Sequence, residues 1–242
     1  MNQKIALVTG ANKGIGLETV RQLAAKGIRS LLASRDIARG EAAVQVLKDE
    51  GLPVEYLALD VNDASSIDQA QREVARRHGR LDILVNNAGV TFDALDLPPS
   101  AQSLDTWRKT FDTNVFGLIA VTQAFLPLLR KSDAARIVNV SSLLGSITDQ
   151  ADPKSIYYDF KIPAYNVSKA AVNAWTVQLA HELRQTRIKV NTIHPGHVKT
   201  DMGGASAPME IVDGARSSVE LALIADDGPN GGFFHLGQTL PW

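Results

Sequence analysis

The 242-residue sequence contains no cysteine. Disulfide bonds, thiolate metal sites and a cysteine nucleophile are therefore excluded. It also lacks a surplus of either charge: 25 Lys and Arg stand against 26 Asp and Glu, a formal net charge of −1. A nucleic-acid stripe or a polybasic membrane anchor would need such a surplus. No apolar run approaches the roughly 20 residues of a membrane span. No basic–apolar–small leader pattern stands before the first strand-like segment, so the expected compartment is the cytoplasm. What remains, 45% apolar and 21% charged residues, is ordinary for a folded domain with a sizeable core.

The pattern that is present is an alternation. Short apolar runs at 5–9, 30–33, 54–59, 81–85, 136–140 and 189–193 read as strands, with a last one at 233–236. Helix-forming segments lie between them at 14–26, 36–50, 65–78, 106–130 and 164–184, with a shorter one at 211–224. Gly27, Gly51 and Gly79 stand where helix C-caps belong. Such alternation implies right-handed crossovers and a parallel sheet covered on both faces. The expected fold is a single-domain α/β architecture, a doubly wound, mostly parallel sheet of about seven strands. Ligands bind such sheets outside the carboxyl ends of the strands. The candidate functional positions are therefore 9–16, 34–35, Asp60, 86–89, 141–142 and 195–200.

The first strand runs into Gly10-Ala11-Asn12-Lys13-Gly14-Ile15-Gly16. Gly10 permits a tight turn. Gly14 and Gly16 let a pyrophosphate approach the next helix, whose free N–H groups and positive dipole end favour an anion. The spacing G-x-x-x-G-x-G differs from the commoner G-x-G-x-x-G. Three glycines can also do no more than turn a strand into a helix. The second strand ends Ser34-Arg35-Asp36. An acidic residue at this point binds the ribose hydroxyls and selects NAD. Aligning Ser34 with that position places Arg35 to grip a 2′-phosphate, with Lys13 reaching the same group, which favours NADP. If Asp36 faced the ribose instead, NAD would be selected. Asp60 is a candidate for the adenine amino group and the Val61 N–H for the ring.

Three further segments accompany the turn: Asn86-Asn87-Ala88-Gly89, Tyr165-Asn166-Val167-Ser168-Lys169 and Pro195-Gly196. In this order they match TGxxxGxG, NNAG, YxxxK and PG, and the chain resembles the short-chain dehydrogenase/reductase family over essentially its whole length. Asn12-Lys13, 34–36 and Asp60 are most similar to its NADP-dependent carbonyl reductase branch. The resemblance implies one Rossmann-type domain over 1–242 that binds NADP(H) and moves a hydride to or from a small-molecule carbonyl, with no metal. It implies cofactor contacts from Gly10, Asn12, Lys13, Gly14, Ile15, Gly16, Arg35, Asp60, Val61, Asn87, Ala88 and Gly89. Pro195, Gly196, Val198 and Thr200 would close over the nicotinamide, and Asn86 would join Ala88 and Gly89 along the ribose. The same resemblance gives Tyr165 the acid/base role and has Lys169 support it and hold ribose hydroxyls. Ser142, chosen over Ser141, would orient the substrate oxygen. Asn114 would bind a water that extends the proton relay.

The Tyr–Lys chemistry also follows from the residues. Four apart on a helix, Tyr165 and Lys169 share a face. An ordinary tyrosine titrates near pH ~10, and a nearby ammonium is expected to lower that value. Tyr157 and Lys161 have the same spacing. They are bracketed by Asp152-Pro153 and Ile162-Pro163, which is loop context. Pro163 suits the first position of a helix that carries Tyr165. His194 and His197 lack a third ligand at matching spacing and read as non-metal residues.

The gap from Ser142 to Tyr165 is longer than the family's usual one. The extra segment, 149–161, is acidic and aromatic, and is either a pocket wall or a surface loop. It leaves assembly open: a homodimer or homotetramer through the 106–130 and 164–184 helices, or a monomer. Residues 201–209 are expected to form a mobile lid, within a lid region running to 224. Leu143, Met202 and Phe92 are the expected apolar pocket residues. Two other functions stay open. One is oxidation of a secondary alcohol; the other is a non-catalytic nucleotide sensor, which would be expected to have lost the tyrosine or the lysine.

Overall fold

Five consecutive buried residues make β1 (Ile5–Thr9) a strand with no solvent face. The same apolar character gives β2 (Arg29–Ser34), β3 (Val54–Ala58), β4 (Ile83–Asn86), β5 (Arg136–Val140) and β6 (Lys189–Ile193). The chain closes with β7 (Phe233–His235) and β8 (Gln238–Thr239). The structure is a computed structural model and describes residues 3–242. The strands form one sheet in the order β3-β2-β1-β4-β5-β6-β7-β8. All pairings are parallel except β7 with β8. Seven strands are expected from the sequence. The eighth is a two-residue return, turned through Leu236 and Gly237, both at positive φ.

The helices are α1 (Gly14–Ala25), α2 (Ile37–Asp49), α3 (Ala64–His78), α4 (Leu104–Phe111), α5 (Leu118–Leu129), α6 (Ile147–Ala151), α7 (Pro163–Glu182) and α8 (Ile211–Ala222). Alternate residues of each strand point to opposite faces. Leu7, Leu31 and Leu84 pack with Val74 of α3, Phe125 of α5 and Leu179 of α7. Val8, Leu32 and Val85 pack with Leu23 of α1, Leu47 of α2 and Val219 of α8. Each fully buried leucine contributes about 1.5–3 kcal/mol to these two cores. Because β1 pairs with β2 on one side and β4 on the other, the winding reverses there. A crevice opens above the carboxyl ends of β1 and β4.

The structure departs from the sequence reading in two places and gives detail in a third. The helix expected over 106–130 is divided. A π-helical turn, Asp112–Gly117, separates α4 from α5 and turns Thr113, Asn114 and Val115 inward together. A Cβ at Gly117 would sit 2.8 Å from the Val61 carbonyl oxygen, so only glycine allows this approach. The stretch Leu104–Leu129 is long and apolar enough to cross a membrane by composition alone, yet 56% of its apolar window is buried inside this fold. The 201–224 region also divides. Residues 201–208 are turns, whereas α8 belongs to the core, with Ala215, Val219 and Ala222 buried. Finally, 149–161 takes in the end of α6 and a series of turns tied down from two sides. Lys161 Nζ donates to the Gln150 carbonyl and Oε1, each at 2.9 Å, and Asn166 Nδ2 donates to the Phe160 carbonyl at 2.9 Å. This segment walls a groove of about 380 Å³ with Trp107, Leu144 and Pro163. Neither Ser142 nor Tyr165 lines that groove.

Candidate active site

The glycine turn is shaped by what packs on it. Gly10 has φ +61°, and a Cβ there would lie 2.9 Å from the Ala88 Cα. A Cβ at Gly16 would lie 2.4 Å from Asn87 Nδ2. The loop after β4 therefore presses directly against the turn. Asn87 Nδ2 donates to the Thr9 and Gly10 carbonyls at 2.8 and 3.2 Å. The Asn87 and Ala88 N–H groups both donate to Thr9 Oγ1 at 3.0 Å. The Asn87 side chain is thus committed to holding the turn's shape. Asn86, expected along the ribose, is instead buried in the sheet and donates to Thr122 Oγ1 and Asn139 Oδ1, each at 2.9 Å. The strand pleat turns adjacent residues to opposite faces, and only the second asparagine reaches the crevice. At the start of α1 no side chain caps the helix and its first turn holds no acidic residue. The N–H groups next to Lys13, Gly14 and Ile15 are therefore free for an anion.

At the end of β2 the side chains sort themselves. Ser34 is buried and its hydroxyl donates to the Asp36 carbonyl at 3.0 Å. The Asp36 carboxylate caps α2 by accepting the Arg39 N–H at 3.0 Å. Neither is free to meet a ribose. Arg35 is exposed and lines a groove of about 380 Å³ with Val61, Asn62 and Phe92. Asp60 Oδ1 accepts the Asn62 N–H at 3.0 Å and so shapes the floor beside it. Lys13 lies on the other side of the turn, 2.5 Å from Asp201 Oδ2. Lys13, and more remotely Arg39, hold the Asp201 carboxyl below its ordinary range. Arg39, in the first turn of α2, was not a candidate from sequence; it pairs with Asp36 at 3.3 Å and also acts on Asp201.

The catalytic candidates meet where β5 and α7 come together. Pro163 opens α7 as its sequence position suggests. The cap comes from far away: the Asp93 carboxylate accepts the Ala164 N–H at 2.7 Å and the Tyr165 N–H at 3.1 Å. Tyr165 and Lys169 lie on one face, with Lys169 Nζ 5.5 Å from the Tyr165 ring centre. Lys169 Nζ donates to the Val140 carbonyl at 2.8 Å, and a Cβ at Gly89 would lie 3.4 Å from it. The segment 87–89 thus touches the glycine turn at one end and Lys169 at the other. Ser142 is buried, with its hydroxyl close enough to the Tyr165 phenol to favour the ionised form. Ser141 points away and donates to the Lys169 carbonyl at 3.2 Å. Asn114, fully buried, donates to the Val90 carbonyl and Ser168 Oγ and accepts the Val90 N–H. Its side-chain donors are both taken, which leaves a second Oδ1 lone pair for any water.

The electrostatics overturn one expectation. Burial raises the Tyr165 phenol to about 12, against a smaller opposing effect of the Ser142 hydroxyl. Burial also lowers Lys169 to about 8. Both shifts follow the rule that a low dielectric disfavours the charged form. In this state the ammonium does not make the phenol acidic.

Beyond β6 the chain turns at Gly196, φ +94°, where a Cβ would lie 2.6 Å from Met209 Sδ. Val198 is buried and bridges to Met209. The Thr200 methyl faces Gly14, 3.5 Å from where a Cβ would sit. This places Thr200 against the glycine turn. Pro195 lies on the same strand-end loop. His197 Nε2 bonds the Gly203 carbonyl at 2.8 Å and so anchors 201–208. Met202 and Phe92 are about half exposed, and Phe92 lies in the Arg35 groove.

A doubly wound sheet, a glycine turn at its switch point and a Ser–Tyr–Lys cluster beside that turn define a nucleotide-binding fold with acid/base side chains. A family model described as short chain dehydrogenase matches residues 4–211. The chain is 35% identical to a (+)-neomenthol dehydrogenase of Arabidopsis thaliana, covering 98% of this chain and 97% of the relative. It is 34% identical to carbonyl reductase [NADPH] 1 of Mus musculus, covering 100% and 99%. Among solved structures it superimposes on an NADPH-bound carbonyl reductase from chicken fatty liver with a TM-score of 0.87, at 29% identity and full coverage of both chains. Salutaridine reductase from Papaver somniferum gives 0.84 at 32% identity, covering 97% and 100%. The chain belongs to the short-chain dehydrogenase/reductase family.

Proposed function

We propose that this protein reduces a ketone, aldehyde or quinone to the alcohol with NADPH, using Tyr165 as the proton donor. The observation that carries this reading is the 87–89 segment, which joins the glycine turn to Lys169 and so sets the Tyr–Lys–Ser cluster beside the cofactor crevice. The uncapped start of α1 suits a pyrophosphate, and Arg35 after β2, with Lys13 in the glycine turn, are the cations offered to a 2′-phosphate. Asp36, the residue that would select NAD, is occupied as a helix cap. NADPH, when bound, supplies the hydride. Ser142 donates to the carbonyl oxygen and orients it. Tyr165, kept protonated by burial, delivers its proton to the oxygen as negative charge develops there. Lys169 stabilises the phenolate left behind, and Asn114 holds the water that returns a proton to the pair.

A protonated phenol is the form that donates in reduction, and the phenolate is the form that accepts in alcohol oxidation. The mouse relative's name carries NADPH and that of the Arabidopsis relative a dehydrogenase activity, so both directions have precedent among similar chains. The 201–209 segment serves as the lid, and 149–161 as an insertion outside the catalytic cleft. Exposed apolar side chains on α4 and α7, Leu104, Val167 and Val177, support assembly through these helices. Sedimentation equilibrium decides between monomer and oligomer.

The test is loss of NADPH absorbance against a panel of ketones, aldehydes and quinones. Turnover of at least one class is expected with NADPH and much less with NADH. No turnover of any class, with NADPH still bound, would favour the nucleotide-sensor reading.

A further inference from the structure

Two backbone N–H groups follow Ser142, at the open start of a short 3₁₀ turn, Leu143–Gly145. The Leu144 N–H donates to Ser142 Oγ at 3.2 Å. That bond fills an acceptor site on the serine and leaves its proton free to point at the phenol or a substrate oxygen. The Leu143 N–H donates across the sheet end to His194 Nδ1 at 3.3 Å. An N–H can only donate, so His194 Nδ1 is the bare nitrogen and Nε2 carries the proton. The His194 backbone is itself fixed from both sides. The His194 N–H donates to the Phe234 carbonyl at 2.9 Å, and the His194 carbonyl accepts from His235 Nδ1 at 2.8 Å. Only 7% of His194 is exposed, so the ring has little room to turn. Burial, with His235 and His197 nearby, holds it down to about 3 and keeps the acceptor in place at any working pH.

We propose that His194 is a positioning residue for the reaction, its Nδ1 fixing the Leu143 backbone and through it the direction in which Ser142 donates. This rests on the role assigned to Ser142 above. Without that acceptor the Leu143 N–H is left without a partner at the edge of the site. The peptide after Ser142 then turns to find another, and the serine hydroxyl loses its aim. The effect falls on turnover, since the Leu143 peptide is not among the candidate cofactor contacts.

Isosteres separate the possibilities. His194→Asn places an oxygen near the Nδ1 position, His194→Gln places its amide near Nε2, and His194→Leu fills the volume with no acceptor. His194→Asn is expected to keep kcat within about three-fold of wild type, whereas the Gln and Leu variants fall by roughly ten-fold or more, less than the 10²–10³ lost with an entire oxyanion donor. The NADPH dissociation constant and the thermal midpoint should stay close to wild type. In a Ser142→Ala background His194→Leu should cost nothing further, because the group it aims is gone. Normal turnover in His194→Leu overturns the proposal, as does rescue by Gln rather than Asn, or full additivity with Ser142→Ala. If the Leu variant does not fold, the Asn and Gln pair decides alone. Near-normal turnover in Ser142→Ala by itself would instead refute the active-site reading, whatever His194 does.

Discussion

Lys169→Met should make the ligand-free protein more stable and abolish its turnover. Lys169 is 3% exposed, and burial moves it from 10.5 to about 8. A folded-state value below the unfolded one means the fold disfavours the charged lysine. The stability is present above 10.5 and is lost as pH falls through 8. At about 1.4 kcal/mol per pH unit, the burden is at most ~3 kcal/mol at pH 7 and about 1 kcal/mol at pH 10. Methionine has similar length and no charge. It strands the Val140 carbonyl, a loss of about 1–2 kcal/mol that does not titrate. The net gain at pH 7 is then about 1–2 kcal/mol, or several degrees in Tm for a chain of this size. By pH 10 the difference should shrink by about 2 kcal/mol and reach zero or reverse. Urea unfolding of both proteins at the two pH values measures it, with Tyr165 common to both. The reasoning is refuted if the variant is destabilised equally at both pH values, or if its advantage grows with pH.

Tyr165→Phe should bind NADPH normally and lose turnover by at least about 10²-fold, the usual worth of a positioned proton donor; near-normal rates would remove the tyrosine from the mechanism. Arg35→Ala should weaken NADPH by about ten-fold or more and leave NADH nearly unchanged, since a charge-assisted bond to the 2′-phosphate is lost; equal effects on both cofactors would argue against that contact. Asp201→Asn frees Lys13 from its ion pair and should tighten NADPH, by no more than about five-fold for so exposed a pair. Asp93→Ala leaves the first N–H groups of α7 uncapped. It should lower kcat and Tm together, the latter by an amount matching about 1 kcal/mol, with no change in NADPH affinity.

Local chemistry was readable in the chain itself. The strands of the sheet follow from apolar runs, since a parallel sheet covered on both faces leaves no polar side to confuse them. The glycine turn, the Tyr165–Lys169 spacing and the Pro163 start depend on neighbours within one turn of backbone. Adjacent residues after a strand face opposite ways, so Ser141 turns to the Lys169 carbonyl and Ser142 turns toward Tyr165.

Other features depend on residues far apart in sequence, and tertiary structure decided them. Asn86 and Asn87 are the same residue type, yet pleat and packing send one into the sheet and the other to brace the turn. Asp93 caps α7 by accepting the N–H of a residue 71 positions later, a distance no local pattern crosses. The π-helical turn at Asp112–Gly117 answers to the Val61 carbonyl against Gly117, so no propensity signals it. The sign of the Tyr165 shift is the clearest case. Spacing placed an ammonium nearby, but the phenol's ionisation is governed by how much water the assembled fold excludes from it, and that is a property of packing.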